Sequence, residues 1–408
     1  MNVISLFSGC GGLDYGMEAA GWNIAYRNDF DRHSCATLQF NGRSDVQCAP
    51  IEEVSTNDIC RFVGSSKDVD LVVGGPPCQP FSKSAYWSRG DTLRLKDQRA
   101  NTLQEYFRII EDFKPKAFLL ENVHGISYTG KEEGFQFLIS KINEINRKTG
   151  TDYRPRWKVL NAANYGVPQI RVRFFLVAMR NGKEFIFPKP THFDADTAFT
   201  NPTLFDINLV PYSTAWDALD HIEPDVDESL AVGGKWSKLL PSIPEGENYL
   251  WHTDRKGGLP LFGWRTRFWC FLLKLAKNKP SWTIQAQPGS AVGPFHWDNR
   301  KLSWKELAAL QTFPSDFKIN APRVEIQRQI GNAVPSLLAE VLGQSLMDQI
   351  FGRQTRNTLN LAVKRNGNIP PPERTQPVPE EYLCLRGLHA PHPGTGKGRF
   401  YHKTGYTY

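Results

Sequence analysis

Hydrophobic positions over residues 1–180 fall into short β-branched and aromatic runs separated by amphipathic stretches. Val3 to Phe7, Ile24 to Arg27, Val69 to Val73, Ala117 to Leu120, Trp157 to Leu160 and Phe174 to Ala178 read as strands. Between them, Leu13 to Ala20, stopped by Gly21, reads as a helix. So does Thr102 to Phe113, where Leu103, Phe107, Ile110 and Phe113 recur at helical spacing. Strands alternating with helices predict a doubly wound α/β fold, its sheet parallel and covered on both faces. From Asn181 to Pro280 the pattern breaks: prolines, glycines and tryptophans multiply, and only Phe268 to Ala276 keeps helical periodicity. Helical character returns in Trp304 to Gln311 and Pro335 to Ile350, followed by proline-rich Ile369 to Pro379 and a Gly, His and Tyr-rich Pro391 to Tyr408. The expected organisation is a main body over 1–180, a smaller irregular unit over 181–318, a return to the body over 319–352 and an extension over 353–408.

Composition then removes several classes. A chain of 408 residues, 40% hydrophobic and 22% charged, has a real core and is neither disordered, collagenous nor coiled coil. Its longest apolar runs, such as Ala117 to Leu120, fall far short of the ~20 residues a membrane helix needs. Met1 to Phe7 lacks a basic n-region, so a soluble, cytoplasmic protein is expected. Seven cysteines, at 10, 35, 48, 60, 78, 270 and 384, show no zinc spacing, which predicts free thiols and no metal. Net charge is +7, but residues 235–279 and 353–408 each carry +6, leaving −5 on the rest. A near-neutral body with two basic segments suits a polyanionic partner.

Four stretches carry candidate chemistry. The first strand enters Phe7-Ser8-Gly9-Cys10-Gly11-Gly12, a glycine-rich turn that opens a helix and lets a ligand approach the backbone. It is not GxGxxG, because Asp14 stands at the last glycine, so a phosphate-free nucleoside cofactor fits better than NAD. Asp29, after the second strand, is placed to bind both ribose hydroxyls, although a helix N-cap would look similar. Gly74-Gly75-Pro76-Pro77-Cys78-Gln79-Pro80 sets a cysteine behind two prolines at the carboxyl edge of the sheet, where a thiol of lowered pKa is a nucleophile. Glu121-Asn122-Val123 puts a carboxylate at the same edge, suited to protonating a ring nitrogen. Gln169-Ile170-Arg171-Val172-Arg173 places two arginines on one strand face, where they can hold a carbonyl or phosphate oxygen.

In this order the stretches resemble the DNA (cytosine-5) methyltransferase family. Phe7 to Leu13 is similar to its cofactor loop, Pro76-Pro77-Cys78-Gln79 to its nucleophile motif, Glu121-Asn122-Val123 to its acidic motif and Gln169 to Arg173 to its QxRxR motif. Arg300 to Ser303 with Leu310 to Pro314 resembles the ninth motif, and Gln329 to Pro335 the tenth. The resemblance implies an S-adenosylmethionine-dependent, Rossmann-like methyltransferase with a small target-recognition domain. Cys78, Glu121, Arg171 and Arg173 would be catalytic. Phe7, Ser8, Gly9, Cys10, Gly11, Gly12, Asp29, Phe30, Ile51, Pro76, Asn332 and Ala333 would line the cofactor site, with Phe30 against the adenine. Cys78 would add to C6 of a cytosine flipped from the duplex, Glu121 would protonate N3, Arg173 would bind O2, and C5 would take the methyl group.

Gln79, Ser82, Ser84, Arg89 and Arg99 would contact DNA from the loop after Cys78, and Arg255, Lys256, Arg265 and Arg267 from the recognition unit. Most aromatics of that unit are expected in its core. Ser5, where an acid commonly opens the first motif, and Pro50-Ile51-Glu52, where the third usually offers an Asp, depart from the family pattern. The implied partner is double-stranded DNA, with no metal or membrane, and the protein is expected to act on it as a monomer associated with the nucleoid. A cognate restriction endonuclease on the same site is a family habit. RNA cytosine methylation and silent DNA binding are the rival readings. The extension over 353–408 lies outside the resemblance and reads as accessory DNA contact or as packing.

Overall fold

The computed structural model describes residues 1–64, 68–77, 100–123, 133–198, 209–223, 230–263, 269–353 and 358–387. A seven-stranded sheet has the order β3-β2-β1-β4-β5-β7-β6. Its strands are β1 (Asn2–Leu6), β2 (Asn23–Asp29), β3 (Val46–Cys48), β4 (Leu71–Gly74), β5 (Ala117–Val123), β6 (Arg154–Asn161) and β7 (Val172–Met179). The crossing between β1 and β4 reverses the winding direction, so the loops after β1, β2, β4 and β5 gather at one edge.

Strand alternation sorts the core into two layers. Ile4, Leu6, Val72, Phe118, Leu120, Phe174 and Leu176 face helices α3 (Thr56–Val63), α4 (Ala100–Phe113) and α5 (Glu133–Thr149). Val3, Leu71, Val73, Leu119, Phe175 and Val177 face α1 (Gly12–Ala19) and the last long helix, Ser336–Phe351. Both faces of the strands are therefore apolar, as the continuous hydrophobic runs predicted. Helix α1 approaches the Ser336–Phe351 helix closely: a Cβ on Gly16 would sit 2.2 Å from the Ser336 carbonyl oxygen. Helix α2 (Arg32–Phe40), capped by the Asp31 side chain on the Ser34 amide, flanks β2.

The sheet is not wholly parallel. Strand β7 is antiparallel to both β5 and β6. Only residues 162–171 separate β6 from β7, too few for the helical crossover that a parallel pair requires. The second departure is Phe268 to Ala276, expected as a helix. Among the described residues 269–276 no helix forms; isolated bridges pair Phe271 with Val292 and Lys274 with Phe295 instead. The apolar spacing there serves an irregular core of Leu239, Leu240, Ile243, Tyr249, Leu261, Leu272 and Phe295. A third layer joins α1 to this region. Cys10 and Tyr15 pack with α6 (Ala215–Leu219), α7 (Trp304–Leu310) and α8 (Arg323–Asn332), and Tyr15 meets the Phe313 ring edge-on at 5.9 Å. The Ser336–Phe351 helix, α9, follows directly.

Candidate active site

The loop leaving β1 is built by backbone conformations that few side chains tolerate. Phe7 (φ 56°), Gly9 (φ 55°) and Gly11 (φ 89°) all lie in the left-handed region. Phe7, which has a Cβ, is strained there, as residues at ligand sites often are. The Gly9 amide donates to Asp29 Oδ2 at 2.7 Å, and the Asp31 amide donates to Asp29 Oδ1 at 2.9 Å. Burial pushes the Asp29 carboxyl upward, while these two amides oppose the shift. One bond on each oxygen leaves acceptor capacity for two ribose hydroxyls. Open space lies beyond Gly9, and Phe30, which follows Asp29 in the chain, is 65% exposed, a large apolar side chain left mostly uncovered. Gly12 packs under the Val334 carbonyl, which brings exposed Asn332 and half-buried Ala333 to the same edge. These features fit an adenosine-bearing cofactor.

Not every expected cofactor residue faces the opening. Cys10 is 1% exposed in the core with Tyr15, its thiol driven up by burial. Its side chain packs the loop from behind; the backbone is what remains for a ligand. Ile51 is likewise buried, and its carbonyl oxygen accepts from Arg108. Ser8 is buried, with its hydroxyl 2.9 Å from that of Ser5.

Sequence reasoning missed what stands beneath this loop. Ser5 Oγ donates to Asp14 Oδ1 at 2.5 Å, so the acid absent from position 5 is supplied by α1. Arg27, 2% exposed, donates to Asp14 Oδ2 at 3.0 Å and pairs with Glu18 and Asp45; Arg43 reaches Glu18 at 2.6 Å. A signal existed in Arg27, a charge inside a strand run, and in Asp14, a charge in a glycine-rich turn.

At the centre of the edge, Arg173 Nε lies 3.1 Å from Glu121 Oε1. Burial raises the Glu121 carboxyl against the pull of the arginine, leaving it readier than a surface glutamate to carry a proton. Burial lowers Arg173, and Glu121 opposes that. A Cβ on Gly75 would come 2.9 Å from Glu121 Oε2, so glycine is what lets the β4 exit lie against the carboxylate. Asn122 Nδ2 donates to the Pro76 carbonyl at 3.3 Å and ties the buried Pro76 to β5. Cys78 follows two residues later but lies outside the described residues, as do Gln79, Ser82, Ser84, Arg89 and Arg99.

Arg171, also expected among the catalytic residues, has its guanidinium engaged on backbone. It is fully buried, and its guanidinium donates to the carbonyls of Ile284 at 3.3 Å and Gly331 at 2.7 Å. Gln169, also fully buried, donates to the Leu310 carbonyl and accepts from the Ile284 amide, both at 3.2 Å. The QxRxR stretch thus holds three distant segments together, and only Arg173 of its arginines reaches the carboxylate.

The first 348 residues match the model of the family described as C-5 cytosine-specific DNA methylase. The chain belongs to that family. It is 38% identical over 381 residues to the type II methyltransferase M.SacI of Streptomyces achromogenes, covering 87% of this chain and 95% of that protein. To M.NgoFVII of Neisseria gonorrhoeae it is 32% identical over 352 residues, covering 85% and 86%. A Spodoptera frugiperda DNMT2 mutant superposes with a TM-score of 0.57 at 17% identity, over 85% of this chain and 99% of that one. That likeness extends to the fold. This methyltransferase is therefore a DNA cytosine-5 enzyme on a Rossmann-like sheet, and no helix among its described residues is long and apolar enough to cross a membrane.

The irregular region holds its expected DNA residues differently. Arg255 and Lys256 are exposed, and Lys256 Nζ sits on Glu247 at 2.8 Å, a surface pair weak enough for a phosphate to replace. Arg265 and Arg267 lie outside the described residues. Tyr249 is buried in the core, as expected of most of these aromatics, whereas Trp269 is 49% exposed. The first basic segment is less of a surface than its charge suggested, because Lys274 and Lys277 are both buried, 4% and 3% exposed. No group of three or more potential metal ligands occurs among the described residues.

Proposed function

We propose that this chain methylates C5 of a cytosine flipped out of a short, specific duplex DNA sequence, through a covalent Cys78–C6 adduct. The observation that carries the reading is the Glu121–Arg173 pair at 3.1 Å, packed against the Gly75–Pro76 exit that leads in sequence to Cys78. S-adenosylmethionine would supply an electrophilic methyl group, held by the Phe7–Gly12 loop, Asp29, Phe30 and Asn332. Attack of the Cys78 thiolate on C6 forms the S–C bond and breaks the C5–C6 double bond. Glu121 delivers a proton to N3 as the C4–N3 pair moves onto that nitrogen, and the displaced C5–C6 pair forms a C4–C5 double bond, an enamine nucleophilic at C5. Arg173 would neutralise the glutamate after transfer and bind O2. After C5 is methylated, loss of its proton and elimination of Cys78 restore the ring.

Relatives named type II methyltransferases support a protective role beside a restriction nuclease. The recognition unit over 181–318, a monomeric state and a cytoplasmic, nucleoid-associated location belong to the same reading. Bisulfite sequencing of DNA from cells expressing the chain, beside a Cys78→Ala variant, tests it. Protected cytosines at one short recurring sequence, lost in the variant, are expected. Protection of tRNA alone, or of nothing, would overturn the reading.

A further inference from the structure

The family match ends at residue 348, yet residues 358–387 form no loose extension. They run from the catalytic sheet across the whole irregular region. At the near end, the buried Glu340 of α9 accepts from the amides of Asn360 at 2.6 Å and Leu361 at 2.9 Å. Asn360 Nδ2 donates to the Ala19 carbonyl of α1 at 2.7 Å, and Leu359 and Leu361 pack on the α1–α9 core. Midway, Arg365 donates to the Pro211 carbonyl and the Asn366 amide to Asp217 Oδ1 at 2.8 Å.

Farther on, Lys277 Nζ, 4% exposed, is shared by Glu245 at 2.7 Å, Glu373 at 3.0 Å and the Pro371 carbonyl at 3.3 Å. Glu245 also accepts from the Glu373 amide at 2.8 Å. At the far end the Gln376 amide donates to the Pro241 carbonyl, and Tyr382, 4% exposed, stacks on Trp236 with centroids 5.9 Å apart and an interplanar angle of 19°. The Tyr382 hydroxyl donates to the Lys235 carbonyl at 2.8 Å. One segment thus touches three hydrophobic clusters that the main chain itself joins through irregular loops.

We propose that residues 358–387 are a positioning strap that holds the recognition unit against the catalytic edge, so that sequence discrimination depends on a segment outside the family match. The proposal rests on the reading of 181–318 as the recognition unit. Tyr382 is a positioning residue: it lies in the core of that unit and contacts none of the candidate catalytic groups. Charge points the same way. Two of the three acids of the strap are used internally, Glu373 on Lys277 and Glu381 on Lys238 at 3.3 Å, and Arg365 is held on a carbonyl, which favours intramolecular contact over phosphate at those positions.

The test compares Tyr382→Ala with Tyr382→Phe in the full chain, each saturated with cofactor. For Tyr382→Ala, hydrogen exchange over residues 235–262 should accelerate while amides of β1, β4 and β5 keep their protection. Its KM for cognate DNA should rise about tenfold and its preference over single-mismatch sites should fall about tenfold, with kcat and cofactor affinity within about twofold of wild type; the phenylalanine, which keeps the stacking, should restore most of this. The salt slope of DNA binding should stay as in wild type, since each lost phosphate contact would lower it by about one unit. Faster exchange with unchanged KM and discrimination overturns the proposal, and so does a reduced slope, which would make the strap a DNA contact. Failure of the underlying reading shows separately, as an Arg255→Ala variant whose KM for DNA does not change.

Discussion

The sheet edge and the irregular region satisfy buried polar backbone in opposite ways. Along β1, β2, β4 and β5, parallel ladders pair the main chain, so most side chains between them are apolar; apart from Arg27, which is paired with Asp14, Glu18 and Asp45, charge appears toward the carboxyl ends, at Asp29 and Glu121, with Arg173 of β7 beside the glutamate. In the irregular region few ladders exist, and side chains do that work. Lys274 Nζ donates to the Ile243 carbonyl, Asn248 Nδ2 to the Trp269 carbonyl at 2.8 Å, and His252 lies between Ser242 at 2.8 Å and the Leu259 carbonyl at 3.0 Å. A buried polar group must find a partner wherever it is. Charged residues of the first region thus gather at and beneath its carboxyl edge, whereas many of the second hold irregular backbone.

Substitutions that break this contrast test it, beginning where the effect should be largest. Glu121→Gln keeps the shape at the catalytic edge but cannot deliver a proton, so methyl transfer should slow by about 10³-fold, in the range general acid catalysis contributes. Thermal unfolding of that variant should stay near wild type. A steady-state assay with tritiated methyl donor measures the first quantity, and a rate within about threefold of wild type would remove Glu121 from the chemistry.

In the irregular region the expected order of effects is reversed. Lys277→Met leaves Glu245 buried without its cation, which typically costs about 3 to 5 kcal/mol. Urea titration should register that loss. Pairing it with Glu245→Leu should recover much of the stability, because the uncompensated charge is gone. Cofactor affinity should change little in either variant that still folds.

The smallest expected effect concerns acid. His296 is 4% exposed, with Nδ1 3.1 Å from Asp298 and Nε2 3.4 Å from Glu306. Burial lowers its pKa to about 3, with Glu306 opposing. An unfolded histidine takes a proton near pH 6.5, so the unfolded chain binds protons that the folded one refuses as pH falls from about 6.5 toward 3. Stability should decline through that window. His296→Gln, which cannot titrate, should flatten the decline between pH 7 and 5 in denaturant titrations. An unchanged slope would place the acid sensitivity elsewhere.

The clarity of the sequence follows the same division. Five strands were legible because burial on both faces demands continuous β-branched and aromatic runs; the mostly exposed edge strand β6 showed through Trp157, Val159 and Leu160, and the three-residue β3 was too short to give a run. The antiparallel setting of β7 was not legible, since an apolar run carries no direction. Glu121 and Arg173 stood out as candidates because each is a charge near the end of an apolar strand run, and the fold sets them 3.1 Å apart. The partners of Arg171 were not legible, because period-two alternation predicts only a face for its side chain, while the carbonyls of Ile284 and Gly331 that it meets lie more than a hundred residues away. The tail showed an excess of positive charge, but which acid met which lysine depended on contacts across the chain.

What the sequence by itself determined is therefore the local chemistry: strand and helix periods, the glycine-rich loop, the prolines before Cys78, and the carboxylate and guanidinium types that suit a cytosine ring. Those properties are local because propensity and backbone restriction act over a few residues. Only the tertiary structure decided which charges are buried and which side chains hold backbone. Desolvation and hydrogen-bond partnership depend on neighbours that the chain brings from far away, as Arg27 gathers Asp14, Glu18 and Asp45, and as Glu340 fixes the start of the strap.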